Sequence, residues 1–221
     1  MIKIILTGAT GMVGEGVLHE CLNNDFIDEI LIVNRKPSGI VHPKLREIIH
    51  ADFMDLHAIE DRLSGFNACF FCLGVSSVGM KEPAYTSLTY TLTLNFAQTL
   101  VTRNPSMTFC YVSGAGTDSS EKGNSMWARV KGKTENDLVK LPFREVYNFR
   151  PGFMKPTKGL RNTLPYYRYI SWLYPLGRKL YPKGFHELRE LGRAMIEVAQ
   201  NGYSKQTIEV KDIVELAKQR K

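Results

Sequence analysis

The sequence predicts an α/β protein built on a doubly wound parallel sheet of the Rossmann type. Short apolar runs alternate along the chain with segments of helical apolar spacing. Residues 68–73 are apolar throughout up to Leu73, which is typical of a central parallel strand covered on both faces. Three glycines, Gly8, Gly11 and Gly14, join the first apolar run to the first helical segment. We expect one domain over residues 1–221.

Length, composition and charge exclude several classes of protein. The chain has 221 residues, of which 43% are hydrophobic, so it can bury one substantial core. No apolar run approaches the ~20 residues of a membrane-spanning helix, and no leader is recognisable. We therefore expect a cytoplasmic protein with no integral membrane segment. The five histidines lack metal-ligand spacing, so no metal site is expected.

The net charge of +7 would suit nucleic acid, acidic lipid or a phosphorylated cofactor. The glycine turn favours the cofactor. The cysteines fall in apolar contexts and are expected to be buried free thiols. Cys69 and Cys72 have the spacing of a redox motif, but residues three apart in a strand face opposite sides, which favours two core thiols.

The first strand, turn and helix carry the strongest functional signal. The run Ile4-Ile5-Leu6 ends at Thr7-Gly8, and the helical spacing begins at Val13. In dinucleotide-binding units, the first glycine permits the turn and the second lets the main chain approach the pyrophosphate. The third lets helix and strand pack closely. The helix amino terminus then receives the diphosphate, whereas the alternative is a structural turn without a ligand.

The end of the second strand, residues 29–33, indicates which dinucleotide is bound. NAD sites usually have an Asp or Glu about 20 residues past the glycines, where it binds the ribose hydroxyls. Here Asn34 is followed by Arg35 and Lys36. Because a guanidinium can grip a 2′-phosphate that a carboxylate would repel, we predict NADP. The alternative is a pair of solvated loop cations.

The middle of the chain continues the alternation. A third strand is predicted over residues 45–50, a helix over 56–63 and a fourth strand over 68–73, ending at Gly74. Asp52 could meet the adenine edge or cap the helix that follows. A long helix is predicted over 83–103, in which Asn95 is either an ordinary helical amide or bonds the main chain near the active site.

The last part of the sheet carries further candidate residues. A fifth strand over 107–112 runs into Ser113, and a helix over 127–141 follows. A sixth strand over 145–149 ends in Arg150-Pro151-Gly152. Beyond it, residues 155–221 are expected to form a substrate-side extension with a helix over 187–199, a strand over 207–210 and a helix over 213–218.

Residues 165–185 are both aromatic and basic, and we interpret them as a helical insertion near a substrate cleft. The mixture comprises Tyr166, Tyr167, Tyr169, Trp172, Tyr174 and Tyr181 with Arg168, Arg178, Lys179 and Lys183. An alternative is a nucleic-acid or membrane surface, because such residues stack on bases, grip phosphates or lie at lipid interfaces. We favour the cleft, with no nucleic-acid partner; a homo-oligomer is possible.

The ordered motifs resemble the short-chain dehydrogenase/reductase superfamily over nearly the whole chain. They are most similar to its atypical, extended-like members, notably the Tat-interacting protein branch of NADP-binding proteins. The matching stretches are TGATGMVG at 7–14, NR at 34–35, AD at 51–52, CLG at 72–74, VSGAG at 112–116, VKGKTE at 130–135 and RPG at 150–152.

The resemblance implies a Rossmann fold, a nicotinamide cofactor and a set of site residues. The implied cofactor-binding residues are Gly8, Thr10, Gly11, Met12, Val13, Gly14, Arg35, Asp52, Phe53, Leu73, Gly74, Lys131, Arg150 and Pro151. The family's serine, which orients the carbonyl, corresponds to Ser113. The lysine of its Tyr-x-x-x-Lys pair, which binds the nicotinamide ribose, corresponds to Lys131.

The tyrosine of that pair, the acid/base, is replaced by Trp127. An indole N–H donates a hydrogen bond but cannot exchange a proton with an alkoxide. Two functions follow as expectations. One is an NADP(H)-dependent oxidoreductase or epimerase-type enzyme acting on an unknown carbonyl or alcohol. The other is a catalytically silent nucleotide sensor, in which cofactor binding orders a surface that a partner protein recognises.

Overall fold

The computed structural model describes residues 1–163, 167 and 174–219. The strands are β1 (Ile2–Thr7), β2 (Ile27–Asn34), β3 (Leu45–Ile49), β4 (Ala68–Phe71), β5 (Thr108–Val112), β6 (Glu145–Arg150), β7 (Phe153–Lys155), β8 (Phe185–Glu187) and β9 (Thr207–Glu209). The helices are α1 (Met12–Leu22), α2 (Glu82–Thr86), α3 (Leu92–Arg103), α4 (Met126–Leu138), α5 (Tyr174–Leu180), α6 (Leu188–Asn201) and α7 (Val210–Leu216).

Seven of the described strands form one sheet in the order β3-β2-β1-β4-β5-β6-β9, and every neighbouring pair is parallel. The chain moves outward from β1 to β3, then returns to β4 on the other side of β1. The order therefore reverses between β1 and β4, which opens a crevice at the carboxyl ends of these strands. The predicted Rossmann-type sheet is confirmed.

Two apolar layers cover the sheet, one on each face. Ile4 and Leu6 belong to the layer under α1 and α6, whereas Ile5 belongs to the layer under α3. The alternation follows from the two-residue period of a strand. Every residue of β4 is fully buried, because successive side chains face opposite sides of the sheet and an apolar layer covers each side. This burial explains why the central run contains no polar side chain.

The two cysteines with redox-motif spacing face opposite layers, as predicted. Cys69 lies in the layer under α3, and Cys72 packs against the layer under α1. Neither forms a disulfide. Burial raises the pKa of the Cys72 thiol to about 12, so it stays protonated and unreactive.

Several predicted elements differ from the structure. The predicted helix over 56–63 is wrong, because only Glu60–Leu63 turn, as a 3₁₀ helix. The predicted helix over 83–103 spans α2 and α3, joined by a π-helical segment, Ser87–Thr91. The helix predicted to end at residue 141 ends at Leu138. The short strands β7 and β8, which pair with each other in a second sheet, were not predicted.

The carboxyl-terminal part of the chain is joined to the main sheet. Strand β9 pairs with β6, and α6 packs along α1 on one face of the sheet. Within the predicted aromatic insertion, residues 164–166 and 168–173 lie outside the described residues, and α5 forms the described helical part. None of the helices described here is both long and apolar enough to cross a membrane.

Candidate functional site

The glycine turn after β1 has the geometry that its sequence predicts. Gly8 has a φ of +74°, and a Cβ atom there would stand 2.7 Å from the Cys72 carbonyl oxygen at the end of β4. A Cβ atom on Gly14 would overlap the Gly8 carbonyl and lie 2.8 Å from the Ala9 nitrogen. These two glycines are therefore required by the protein's own packing.

Gly11 differs from the other two glycines, because its missing side chain leaves open space. A Cβ atom there would have one neighbour within 4 Å, the Gly8 oxygen at 3.5 Å. Gly11 is also the N-cap of α1 and supplies no side-chain cap. Thr10 and Gly11 are exposed, Val13 is half-buried and Met12 is buried. The helix thus presents unpaired N–H groups to the crevice, a favourable position for an anion.

A cavity of about 170 Å³ adjoins the turn between the ends of β2 and β4. It brings together five of the predicted cofactor residues, which are Arg35, Asp52, Phe53, Leu73 and Gly74; Ala51, Met54, Val75, Leu88 and Leu92 complete its lining. These residues come from loops that are distant in sequence and converge because parallel strands end at one edge.

The Arg35 guanidinium at this cavity is exposed. No hydrogen bond or ion pair engages it within the described part of the chain. The preceding Asn34 is buried and its amide donates to the Glu47 carboxylate at 2.9 Å. A free cation therefore stands at the place where NAD sites usually carry a carboxylate.

The opposite wall of the cavity is tied to α3. The Asn95 amide donates to the Phe53 carbonyl at 3.2 Å and to the Met54 carbonyl at 2.9 Å. Asn95 thus bonds main chain, as one of its two predicted alternatives has it, and the carbonyls that it contacts belong to the wall of this cavity. Asp52 accepts from the Met54 N–H at 2.8 Å within a turn and caps no helix, because none follows directly.

A second group of predicted residues meets where β5 ends beside α4. The Lys131 ammonium donates to the Ser113 carbonyl oxygen. Burial lowers the pKa of Lys131 to about 8, although the nearby Glu135 carboxylate acts in the opposite direction. Trp127 lies one turn before Lys131 on the same helix, half-buried, with its ring beside Gly116.

Sequence reasoning did not single out the buried carboxylate of this corner, Glu135. Its side chain is 3% exposed and accepts from the Ser113 hydroxyl at 2.5 Å and from the Arg150 Nε at 3.0 Å. Arg150 also bonds Glu209 and Ser119. The sequence did contain a signal that could have identified Glu135. It follows Lys131 by four residues and so lies on the same face of α4.

This network changes what two predicted residues can do. The Ser113 hydroxyl has one proton, and its hydrogen-bond partners are the Glu135 carboxylate and the Phe149 carbonyl. The Arg150 guanidinium is held between carboxylates and is not presented to the crevice as a free cation. Pro151 is buried, and its carbonyl accepts from the Ala115 N–H at 2.8 Å. The roles predicted for these residues remain predictions.

Two tyrosines that could replace the missing phenol are engaged elsewhere. Tyr85 is 1% exposed, and the Tyr90 hydroxyl donates to the Asp137 carboxylate at 2.8 Å. Burial raises the pKa of Tyr85. No group of three or more His, Cys, Asp or Glu side chains within the described residues could hold a metal ion.

The parallel sheet, its reversal of order and the glycine turn define a protein of the Rossmann-type, dinucleotide-binding class of fold. More particularly, the chain belongs to the NAD dependent epimerase/dehydratase family, whose model matches residues 4–125. It is 26% identical over 151 residues to "Protein FMP52-2, mitochondrial" of Scheffersomyces stipitis, a match that covers 67% of this chain. The chain spans 65% of the length of that relative.

Solved structures support the same fold. A UDP-N-acetylglucosamine 4-epimerase from Methanobrevibacter ruminantium M1, in complex with UDP-N-acetylmuramic acid, superposes with a TM-score of 0.67 at 16% identity, over 97% of this chain and 80% of that one. A short chain dehydrogenase from Burkholderia cenocepacia J2315, in complex with NADP, gives 0.66 at 13% identity, over 97% and 91%.

A third structure, the enzyme WbmF of Bordetella bronchiseptica with NAD+, gives a TM-score of 0.66 at 14% identity, over 98% of this chain and 76% of that one. Because these identities are low, the superpositions establish the fold alone.

Proposed function

We propose that this protein binds NADP(H) in the crevice between β1 and β4 and uses it as an oxidoreductase or epimerase-type enzyme. The observation that carries the proposal is the unpartnered Arg35 guanidinium, which lies at the cavity next to an uncapped helix terminus. A guanidinium is suited to grip a 2′-phosphate, and a helix amino terminus is suited to receive the pyrophosphate.

The proposed assignments follow the positions of the residues. The N–H groups of Thr10, Met12, Val13 and Gly14 would hold the pyrophosphate. The Gly11 N–H donates to the Gly8 carbonyl at 2.9 Å, so Gly11 would serve by letting the ligand approach, while Gly8 and Gly14 keep the turn tight. Arg35 would bind the 2′-phosphate, and Phe53 with Leu73 would enclose the adenine. Among solved structures of the same fold, the Burkholderia protein is in complex with NADP and WbmF with NAD+, so both dinucleotides fit this architecture.

The reacting end of the site would lie at Ser113, Trp127 and Lys131. A bound nicotinamide would supply hydride chemistry, and an unidentified carbonyl or alcohol would be the substrate. Lys131, with a pKa of about 8, can exchange a proton near neutral pH. The Trp127 indole could donate a hydrogen bond to the substrate oxygen but could not protonate it.

Cofactor titrations test the proposal. The wild-type protein should bind NADPH more tightly than NADH, and Arg35→Ala should weaken NADPH binding by about 10- to 100-fold, because one charge-assisted phosphate contact is lost. NADH binding should be unchanged. The matched control is Arg62→Ala, since Arg62 is also exposed but lines a cavity beside Lys3 and Glu29, at the amino edge of the sheet.

Equal affinity of the wild-type protein for the two dinucleotides would contradict the proposal that NADP is the preferred cofactor. Absence of binding by either dinucleotide would contradict the proposal that the protein binds a nicotinamide cofactor. Both titrations can be followed by calorimetry or by the change in nicotinamide fluorescence, without knowledge of the substrate.

A second candidate function is a catalytically silent nucleotide sensor. Two observations favour it, namely Trp127 at the tyrosine position and the Ser113 hydroxyl bonded to Glu135. In this case cofactor binding would order a surface for a partner protein. A panel of aldehydes and ketones separates the two functions, because an oxidoreductase consumes NADPH with some member of the panel and a sensor consumes none.

We infer a cytoplasmic protein from its composition and buried thiols, although the name of its relative FMP52-2 includes "mitochondrial". Fractionation of cells followed by detection of the protein would decide between these compartments. Recovery in the mitochondrial fraction would overturn the inference.

A further inference from the structure

The segment that follows β7 is attached to the helix of the glycine turn. The carboxylate of Glu15, one turn into α1, is 2% exposed. It accepts from the Arg161 N–H at 2.8 Å and from the Asn162 N–H at 2.7 Å. These two bonds join positions that are about 146 residues apart in sequence. They hold Arg161 close to the amino end of α1.

The side chain of Arg161 extends toward the loop that follows β2. A Cβ atom on Gly39 would have the Arg161 Nη1 as its neighbour, at 3.6 Å. Gly39 lies four residues after Arg35 in that loop. Leu160 and Ile40, one from each of these segments, pack against the same apolar layer. The structure therefore brings a second arginine to the loop that carries Arg35.

The Arg161 guanidinium has no structural task in the described residues. It is exposed, and no hydrogen bond or ion pair engages its side chain within the part of the chain that the structure describes. The other arginines that the structure describes after β7 are paired, Arg178 with Glu190, Arg189 with Glu187 and Arg193 with Glu20. A residue whose backbone is held by hydrogen bonds and whose guanidinium is unpaired is suited to bind an anionic ligand.

We propose that Arg161 is a second cofactor-binding residue, which grips the 2′-phosphate of NADP together with Arg35. The inference rests on the proposed function. A phosphate monoester carries close to two negative charges and three acceptor oxygens, so it can occupy two guanidinium forks at once. The 2′-hydroxyl of NAD offers no charge to either. Glu15 acts as a positioning residue, because it sets the backbone from which Arg161 extends.

Four ligands test the proposal by calorimetry: NADPH, NADH, adenosine 2′,5′-bisphosphate and adenosine 5′-monophosphate. Arg161→Ala should weaken NADPH and the bisphosphate by about tenfold and leave NADH and the monophosphate unchanged. Arg161 is exposed, so its truncation should leave the fold intact. Lys158→Ala is the matched control, because it removes an exposed cation from the same segment.

The double variant Arg35→Ala/Arg161→Ala gives a second readout. If both arginines hold one phosphate, the loss of NADPH affinity in the double variant should differ from the sum of the single losses by more than experimental error. Additive losses would indicate that the two side chains act on separate groups and would overturn the proposal.

The remaining outcomes separate this proposal from the one on which it rests. A loss at Arg161→Ala that is equal for NADPH and NADH would assign Arg161 to the pyrophosphate and overturn the proposal. NADPH selectivity that depends on Arg35 and survives Arg161→Ala would overturn this inference alone. If neither dinucleotide binds the wild-type protein, both proposals are overturned.

Discussion

At the scale of single residues, Glu135 organises the corner where β5 and α4 meet. Its buried carboxylate contacts both Ser113 and Arg150, and the Arg150 side chain is 12% exposed. Each of two opposite charges removed from water is stabilised by the other. Loss of one partner therefore leaves the remaining charge away from water and uncompensated. The predicted substrate residue and the predicted cofactor residue are thus parts of one structural network.

Neutralising Glu135 should reveal this dependence. Glu135→Gln should lower the free energy of unfolding by about 3 kcal/mol, because it leaves the buried Arg150 cation without its main partner. Chemical denaturation followed by circular dichroism measures the change.

The control for that experiment is Lys133→Gln, on the same helix. Lys133 pairs with Asp137 at 3.0 Å, but the lysine side chain is 46% exposed, so the loss should stay below about 1 kcal/mol. A Glu135→Gln protein as stable as this control would contradict the assigned network.

At the scale of elements, the β1–turn–α1 unit separates glycines needed for packing from the glycine needed for a ligand. Gly14 lies inside α1 against the main chain of the turn, whereas Gly11 faces open space at the helix start. A substitution of glycine by alanine should therefore lower the stability of the protein at position 14, whereas at position 11 it should weaken ligand binding.

Gly14→Ala should destabilise the protein by about 2 kcal/mol, because the new methyl group overlaps backbone that cannot move aside. Gly11→Ala should change stability by less than 1 kcal/mol, since its φ of −108° is open to any residue. It should nevertheless weaken NADPH and NADH binding alike. Thermal unfolding and titration of both variants measure these effects. A stable Gly14→Ala protein, or a Gly11→Ala protein with full affinity, would contradict the division.

At the scale of the whole molecule, the carboxyl-terminal extension completes the sheet that holds the site. Strand β9 extends the sheet beyond β6, and α6 covers the face on which α1 lies. Arg193 of α6 also pairs with Glu20 of α1 at 2.9 Å. On these contacts we propose that residues 1–221 act as one domain and that residues 155–221 do not form a separate unit.

A single domain should unfold in one transition. Because α6 and β9 share core residues with β1 and β6, their loss should expose the whole layer. Denaturation curves from far-ultraviolet circular dichroism and from tryptophan fluorescence should coincide. Two separated transitions would indicate that the extension unfolds independently and would contradict the inference.

Much of the fold could be predicted because its signals are local. The apolar runs at β1, β2 and β4 and the glycine spacing at 8, 11 and 14 depend on neighbours in sequence. The helix predicted over 56–63 failed because its apolar residues, among them Leu56 and Ile59, pack on the core from turns. The strands β7 and β8 were missed because three residues carry too little pattern to detect.

The sequence by itself determined the class of fold, the family and the position of the dinucleotide turn, because each depends on short motifs in a known order. Only the tertiary structure decided which side chains remain available. It placed Glu135 against Ser113 and Arg150, and it brought Arg161 beside the loop of Arg35. Such contacts join residues that are distant in sequence, as Glu15 and Arg161 are at 146 positions apart, and they exist only when the chain has folded.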